Sequence, residues 1–326
     1  MKRRDVLGGL VAGSLAASAR PGAAQAGWPS RNLTMVVPFP PGGQGDLAAR
    51  PVALVLERIL GQPVIVENRG GAGGAVGNAA VARAEPDGYT LLMTLSSLAV
   101  LPEADRLFGR KPAYEVSQLQ PVGRVLADPT LLAVPASAPW RTLADLVTDA
   151  RARPDLIPFG SSGPYGTLHV SMEMFAKAAD IRLVHVPYRG AGPALNGLLG
   201  GQIQALASAP GVLKPHAESG AIRVLACWGG ARVPSFPDVP TFIELGYPGV
   251  EFYIWAGLFT PRGLPDPVRV RLEAAFADAM RHPDVVRTFE GAGSPPACQP
   301  AAEFARFVDR DSARLIAATQ KIGKVE

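Results

Sequence analysis

Two glycine-rich loops carry the residues best suited to chemistry in this 326-residue chain. The first reads Pro38-Phe39-Pro40-Pro41-Gly42-Gly43-Gln44-Gly45-Asp46 and leads from an apolar, strand-like run straight into a helix-forming stretch. Its prolines stiffen the loop, and its glycines let backbone N–H groups come close to a ligand. A helix N-terminus there adds unpaired donors and a partial positive charge, a combination that favours an anion. Asp46 either joins that site or caps the helix. The second loop, Gly160-Ser161-Ser162-Gly163-Pro164-Tyr165-Gly166-Thr167, repeats the device later in the chain: it follows a strand, opens a helix and presents hydroxyls and amides. His169 falls in the first turn of that helix, where a lone histidine packs or hydrogen-bonds more often than it catalyses.

Nothing else reads as catalytic machinery. His169, His185, His216 and His282 are scattered without metal-ligand spacing or an accompanying cysteine pair. No Gly-x-Ser-x-Gly elbow frames a serine. The run Gly71-Ala72-Gly73-Gly74-Ala75-Val76-Gly77 looks like a dinucleotide fingerprint, but its third glycine comes one residue late and it follows the second strand, not the first. No catalytic residue, metal or cofactor is therefore expected.

The loops need a scaffold, and the surrounding pattern supplies one. Leu33–Phe39, Pro63–Glu67 and Thr90–Leu95 are short apolar runs bounded by Pro and Gly, which read as buried strands. Asp46–Leu60 and Ala75–Ala84 between them have helical composition, giving βαβαβ and a parallel sheet with helices on its faces. Pro51 is a blemish in the first helix, expected in its first turn or at a kink. The alternation resumes with strands at Thr130–Val134, Ile157–Gly160, Leu183–Pro187, Ile203–Ala207 and Ile222–Trp228, and helices at Thr142–Arg153, Thr167–Ala179 and Pro193–Leu199. A long strand-like run, Val250–Thr260, precedes helices near Asp266–Arg281 and Ala301–Ile322. The fold class is α/β, with two lobes joined by two long strand-like segments: residues 27–127 with 252–326, and residues 128–251. Ligands in such open sheets bind beyond the carboxyl ends of the strands.

The N-terminus points to export. Lys2, Arg3 and Arg4 precede an uncharged run from Val6 to Ala19, and Ala24-Gln25-Ala26 offers a small-x-small cleavage site. The run is shorter than the ~20 apolar residues that span a bilayer. Residues 1–26 thus read as a secretory signal peptide, with Arg3-Arg4 and Leu7 hinting at the twin-arginine route. Beyond it the chain keeps 28 Lys and Arg against 27 Asp and Glu, a net charge of +1, so no basic surface argues for nucleic acid or membrane. A chain of this size exceeds one usual domain and buries a core without staples, so Cys227 and Cys298 need not pair.

At this point the chain resembles a known family. VVPFPPGGQGD, GQPVIVENRGGAGG, PDGYTLL, HVPYRGAGPALNGLLGGQ, PDVPTFIELGYPG and WAGLFTPRGLP occur in order, and together they resemble the solute receptors of tripartite tricarboxylate transporters, the Bug or TctC-like group. The resemblance runs from about Trp28 to the C-terminus. It implies a type II periplasmic-binding-protein fold, a Venus flytrap with its ligand cleft between the lobes. It also implies a periplasmic, monomeric receptor for a small carboxylate, held by loop amides, hydroxyls and ordered water with little help from arginine, and delivered to membrane permease subunits. By position, the first-lobe contacts would be Phe39, Pro40, Gly42, Gly43 and Asp46. The second-lobe contacts would be Ser161, Ser162, Gly163, Gly166 and Thr167, with His169 beside them. Thr94 and Ser96, together with Tyr188, Gly190 and Ala191, would form further cleft wall. Arg189 stands where the family commonly has lysine, with a surface role as open to it as ligand contact. Two departures bear on the ligand: Tyr165 occupies a position that is often glycine, and Gln204 one that is often aspartate. If Gln204 faces the cleft, plain acids should be preferred to amino acids. Two other readings compete with transport: a receptor that docks on a membrane signalling partner, and an exported α/β enzyme.

If Ala24-Gln25-Ala26 is the processing site, protein recovered from the periplasm starts near Gly27. Intact-mass measurement checks this; a soluble cytosolic product that retains Met1 would contradict it.

Overall fold

The computed structural model describes residues 27–325. The expected signal peptide, residues 1–26, lies outside them. Strands β1 (Leu33–Val37), β2 (Val64–Asn68) and β3 (Thr90–Leu95) alternate with helices α1 (Gln44–Leu60) and α2 (Ala75–Ala82), and β1 pairs in parallel with both β2 and β3. Most side chains of β1 and β3 are buried, as an apolar run covered on both faces requires. Then come α3 (Ser97–Leu107) and the eleven-residue β4 (Leu119–Pro129).

The second sheet is built from β5 (Leu131–Pro135), β6 (Pro158–Ser161), β7 (Val184–Pro187), β8 (Ala205–Ser208) and β9 (Ile222–Cys227), in the order β7-β6-β8-β5-β9. Helices α4 (Leu143–Ala152), α5 (Thr167–Ala179), α6 (Ala191–Leu199) and α7 (Pro210–Glu218) connect them. The chain then returns to the first lobe through β10 (Tyr253–Pro261), followed by α8 (Asp266–Arg281), α9 (Pro283–Ala292), β11 (Gln299–Pro300) and α10 (Ala301–Ile322). The first sheet has the order β11-β4-β10-β3-β1-β2.

Both crossings between lobes lie side by side. β4 and β10 pair antiparallel, from Pro261 opposite Leu119 to Tyr253 opposite Pro129. Where they leave the first sheet, Thr130 N donates to Phe252 O (3.2 Å), Trp228 N to Thr130 O (2.8 Å) and Phe252 N to Trp228 O (2.9 Å). The junction is thus backbone bonded to backbone. Helix α10 packs on α3 and β4 of the first lobe and on α5 of the second.

Proline explains where the sequence reading and the structure part. Helices α3 and α7, with Pro102 and Pro215 in their interiors, and α9, opened by Pro283, were not anticipated. Pro51 is not in the first turn of α1: it is the eighth residue of a helix that runs on to Leu60. It gives up one backbone bond there, a loss that the buried face of Val52, Ala53, Val55 and Leu56 outweighs. Among the described residues no helix is long and apolar enough to cross a membrane.

Candidate functional site

The carboxyl ends of β1, β3, β6 and β8 all open on the seam between the lobes. Phe39, Gly43, Gln44, Leu95, Ser162, Thr167, Ala191, Ser208 and Ala209 surround a small inner cavity there. Its free volume of about 10 Å³ is close to what one water needs, so the lobes are closed on each other. A second space of about 190 Å³ adjoins it, walled by Phe39, Gly71–Gly74, Ser162–Pro164 and Pro187–Arg189; Phe39 and Ser162 belong to both.

Closure depends on bare backbone. A methyl group added at Gly190 would stand 2.6 Å from the Pro40 ring, and one at Gly163 would stand 3.2 Å from Gly73 N. At Gly43 a methyl group would only reach ordinary contact with Ala191, at 3.5 Å. Each glycine loop of the sequence thus meets the other lobe, the first at the Gly190–Ala191 turn and the second at Gly73, and small residues allow the approach.

Helices α1, α5, α6 and α7 all begin at the inner cavity, at Gly43, Gly166, Gly190 and Ala209, and none of these caps is filled by a side chain. First-turn amides have no partner inside their own helix, and each N-terminus carries partial positive charge. In α7 the contribution is the dipole, since Pro210 has no N–H and Gly211 N donates to Ser294 Oγ (3.2 Å). Three buried side-chain atoms at the cavity residues have no partner within the protein: Ser162 Oγ, Ser208 Oγ and Gln44 Oε1. Among the described residues no ionisable side chain lines the inner cavity. The arrangement offers hydrogen-bond donors and positive dipole ends with no formal charge, which suits one anionic group.

The structure sorts the residues singled out from sequence. Phe39, Gly43, Ser162, Thr167 and Ala191 line the inner cavity, and Gly163 and Tyr188 the outer one, with Arg189 at its edge. Pro40 and Gly190 form the contact between lobes. Gly166 caps α5 and leaves room for Ser162, whose hydroxyl would lie 2.5 Å from a methyl there.

Others stand behind the cavity. Asp46 accepts hydrogen bonds from Gly42 N (3.1 Å), Arg50 (3.0 Å) and Asn68 (3.0 Å). Burial works to raise its pKa, but these bonds outweigh burial and hold it below the ordinary carboxylate value. Asp46 thus shapes the first loop. Thr94 donates to Asn78 Oδ1 (2.9 Å), and Ser96 is buried at the cap of α3, away from both spaces. Ser161 faces inward. Its hydroxyl accepts from Gly163 N (3.0 Å) and lies 2.5 Å from His185 Nε2. Strand alternation turns Ser161 to the core and Ser162 to the seam. His169 accepts from Tyr165 N through Nδ1 (2.9 Å) and stacks on His185, with ring centroids 4.1 Å apart. Burial, then His185, pushes His169 down to about 3, and burial pushes His185 down to about 4, so both imidazoles are neutral supports for the loop.

Gln204 is exposed just before β8, at the opposite end from Ser208. It does not face the cleft, and the expectation that it chooses between plain acids and amino acids falls with that. Gln44, Ser208 and the Gly71–Gly74 turn were missed as cleft wall. Ser208-Ala209-Pro210 carried a usable signal, a hydroxyl between a strand and a proline that opens a helix. Asp128 was missed as well: it is buried beside Gln44, whose Nε2 donates to Asp128 Oδ2, and burial pushes its pKa up to about 7.

Known proteins resemble this chain along most of its length. The tripartite tricarboxylate transporter family receptor profile matches residues 48–324. BugT of Bordetella pertussis is 37% identical over 270 residues, covering 82% of each chain. MatC from Rhodopseudomonas palustris, solved with bound malate, superposes with a TM-score of 0.84 at 30% identity, over 90% of this chain and 100% of its own. Rpa4515 of R. palustris, solved with adipate, gives 0.85 at 31% identity, over 91% and 98%.

Asp128 yields a pH prediction. Its folded pKa lies above the unfolded value, so the stability it contributes is full below about pH 4 and is lost as pH rises through about 7. Asp128→Asn, which cannot ionise, should melt higher than wild type at pH 8.5, with a smaller advantage at pH 5. Calorimetric scans at the two pH values check this; an advantage that does not grow with pH would contradict it.

Proposed function

The chain belongs to the tripartite tricarboxylate transporter receptor family, and from that premise we propose that it captures a small carboxylate in the periplasm and delivers it to the membrane subunits of such a transporter. The observation that carries this reading is the seam cavity, ringed by four helix N-termini and two buried serine hydroxyls without partners in the protein. A carboxylate is the simplest group that can accept from several of these donors at once while the dipoles of the other helices favour its charge. The malate and adipate of the two relatives fit the same chemistry.

The lobes divide the work. Gly43 and Gln44 come from the first lobe, whereas Ser162, Thr167, Ala191 and Ser208 come from the second. A carboxylate bound to one lobe alone is half solvated, and closing the other lobe replaces the remaining water with fixed donors. Ligand binding and closure thus favour each other. The acid group would enter the inner cavity, parting its walls slightly, and the rest of the molecule would lie toward the outer space. A membrane partner that reads the closed shape would then distinguish loaded receptor from unloaded.

A thermal-shift panel of malate, succinate, adipate, citrate, benzoate and aspartate should show at least one acid that raises the melting temperature, because a ligand bound only to the folded state stabilises it. For that acid, calorimetry on Ser162→Ala and Ser208→Ala should show about ten- to a hundredfold weaker binding, since a hydrogen bond to a charged group is worth ~1.5–3 kcal/mol. Ser161→Ala, which removes an inward hydroxyl, should weaken binding less than either. Gly190→Ala should leave the protein folded but hold the lobes apart, read as a larger radius of gyration by X-ray scattering at saturating ligand. Wild-type affinity in both cavity serine variants would move the site elsewhere.

A further inference from the structure

Behind the seam lies a buried pair that anion binding does not by itself explain. Asp128, next to the last residue of β4, is 4% exposed and accepts a hydrogen bond from Gln44 Nε2. Gln44 is 3% exposed and lines the inner cavity, and its Oε1 has no partner in the protein. An ionised carboxylate has no hydrogen to give, so Gln44 must turn its NH₂ toward Asp128 and its oxygen away. The reverse setting would press two acceptors together. Asp128 therefore decides which end of the amide is left over, and the end left over, on a residue that lines the cavity, is an acceptor.

An acceptor is of no use to a carboxylate, which brings only acceptors of its own. It is satisfied only by a ligand that also carries a donor, and a buried acceptor left unpaired is a penalty on every ligand that lacks one. Building on the carboxylate-receptor reading above, we propose that the Asp128–Gln44 pair makes this protein a receptor for hydroxy acids, with the hydroxyl on the carbon next to the bound carboxylate donating to Gln44 Oε1. A hydroxyl matches better than an ammonium, because among the described residues no carboxylate lines the inner cavity itself: Asp128 stands behind Gln44 and is already bonded to its amide. Gln44 also sits at the opening of α1, beside the amides that would hold the carboxylate. One residue turn thus places an acceptor within reach of the adjacent carbon.

The test uses matched acids that differ by a single hydroxyl: succinate and malate, propionate and lactate, glutarate and 2-hydroxyglutarate. Calorimetry at pH 8.5, where Asp128 is ionised, should show the hydroxy member of a pair binding about ten- to a hundredfold tighter to wild type, the range expected when a buried acceptor is left unpaired. Asp128→Asn can donate to Gln44 Oε1 and lets the amide turn round, and Gln44→Leu removes the acceptor. Each should bring the ratio within a pair close to one. The ratio is read, not the absolute affinity, so either folded variant suffices if the other fails to fold. Equal binding within every pair by wild type, or an undiminished ratio in the variants, overturns the assignment and leaves the carboxylate reading standing. Failure of all six acids to bind, together with failure of the wider thermal-shift panel, overturns both.

Discussion

A carboxylate taken out of water with no cation beside it must be met by neutral donors already pointing at it, and on the function proposed above the helix openings at the seam would meet that requirement. Moving an unpaired charge into a protein interior is prohibitively costly, and oriented amides and hydroxyls are the compensation available without a lysine or arginine. The donors come from helix openings, because a helix N-terminus leaves its first amides unbonded and aims them along its axis. Helices α1, α5, α6 and α7 start at the seam for the same reason that a parallel strand delivers its following loop to the carboxyl edge of the sheet. With these donors divided between two lobes, the proposed ligand capture would be a matter of closure, with the paired crossings β4 and β10 as its axis.

Bringing two helix openings close enough to share one ion leaves no room for side chains. Hence the lobes meet through Pro40, Gly43, Gly73, Gly163, Gly190 and Ala191, where even a methyl group would crowd the partner at several positions. Loops made of such residues have little packing of their own and need support from behind. Asp46, with Arg50 and Asn68, holds the first loop. Ser161 and the neutral stack of His169 on His185 hold the second. Tyr165 adds a further tie. It adopts a left-handed backbone (φ 56°), and its hydroxyl donates to Gly323 O and accepts from Val325 N, both at 2.8 Å, which fastens the second-lobe loop to the end of the chain. A tyrosine in this left-handed conformation gives up backbone ease for the anchor.

What the sequence made legible was the scaffold and the loops that line the seam. Short apolar runs alternating with helices specify parallel sheets, and strand-loop-helix junctions rich in glycine and hydroxyls mark where a ligand would go. Finer assignments were out of reach because they depend on direction and distance. Ser161 and Ser162 are chemically identical neighbours, and only the pleat says which one faces the seam. Gln44 and Asp128 are 84 positions apart, and no local pattern announces that they touch. Gln204 was a plausible specificity residue until the direction of β8 put Ser208, not Gln204, at the cleft end. The Gly71–Gly74 turn, weighed as a nucleotide motif, is the same chemistry of close backbone approach used against another loop of the same chain.

Backbone amide resonances report most directly on whether neutral donors from both lobes hold one anion. In a titration of ¹⁵N-labelled protein with malate, the amides of Gly43 to Gly45, of Thr167 and Leu168, and of Ala191 should shift together along a single binding isotherm. Shifts confined to one lobe, or gathered around exposed arginines such as Arg189 while the helix openings stay unmoved, would contradict the account.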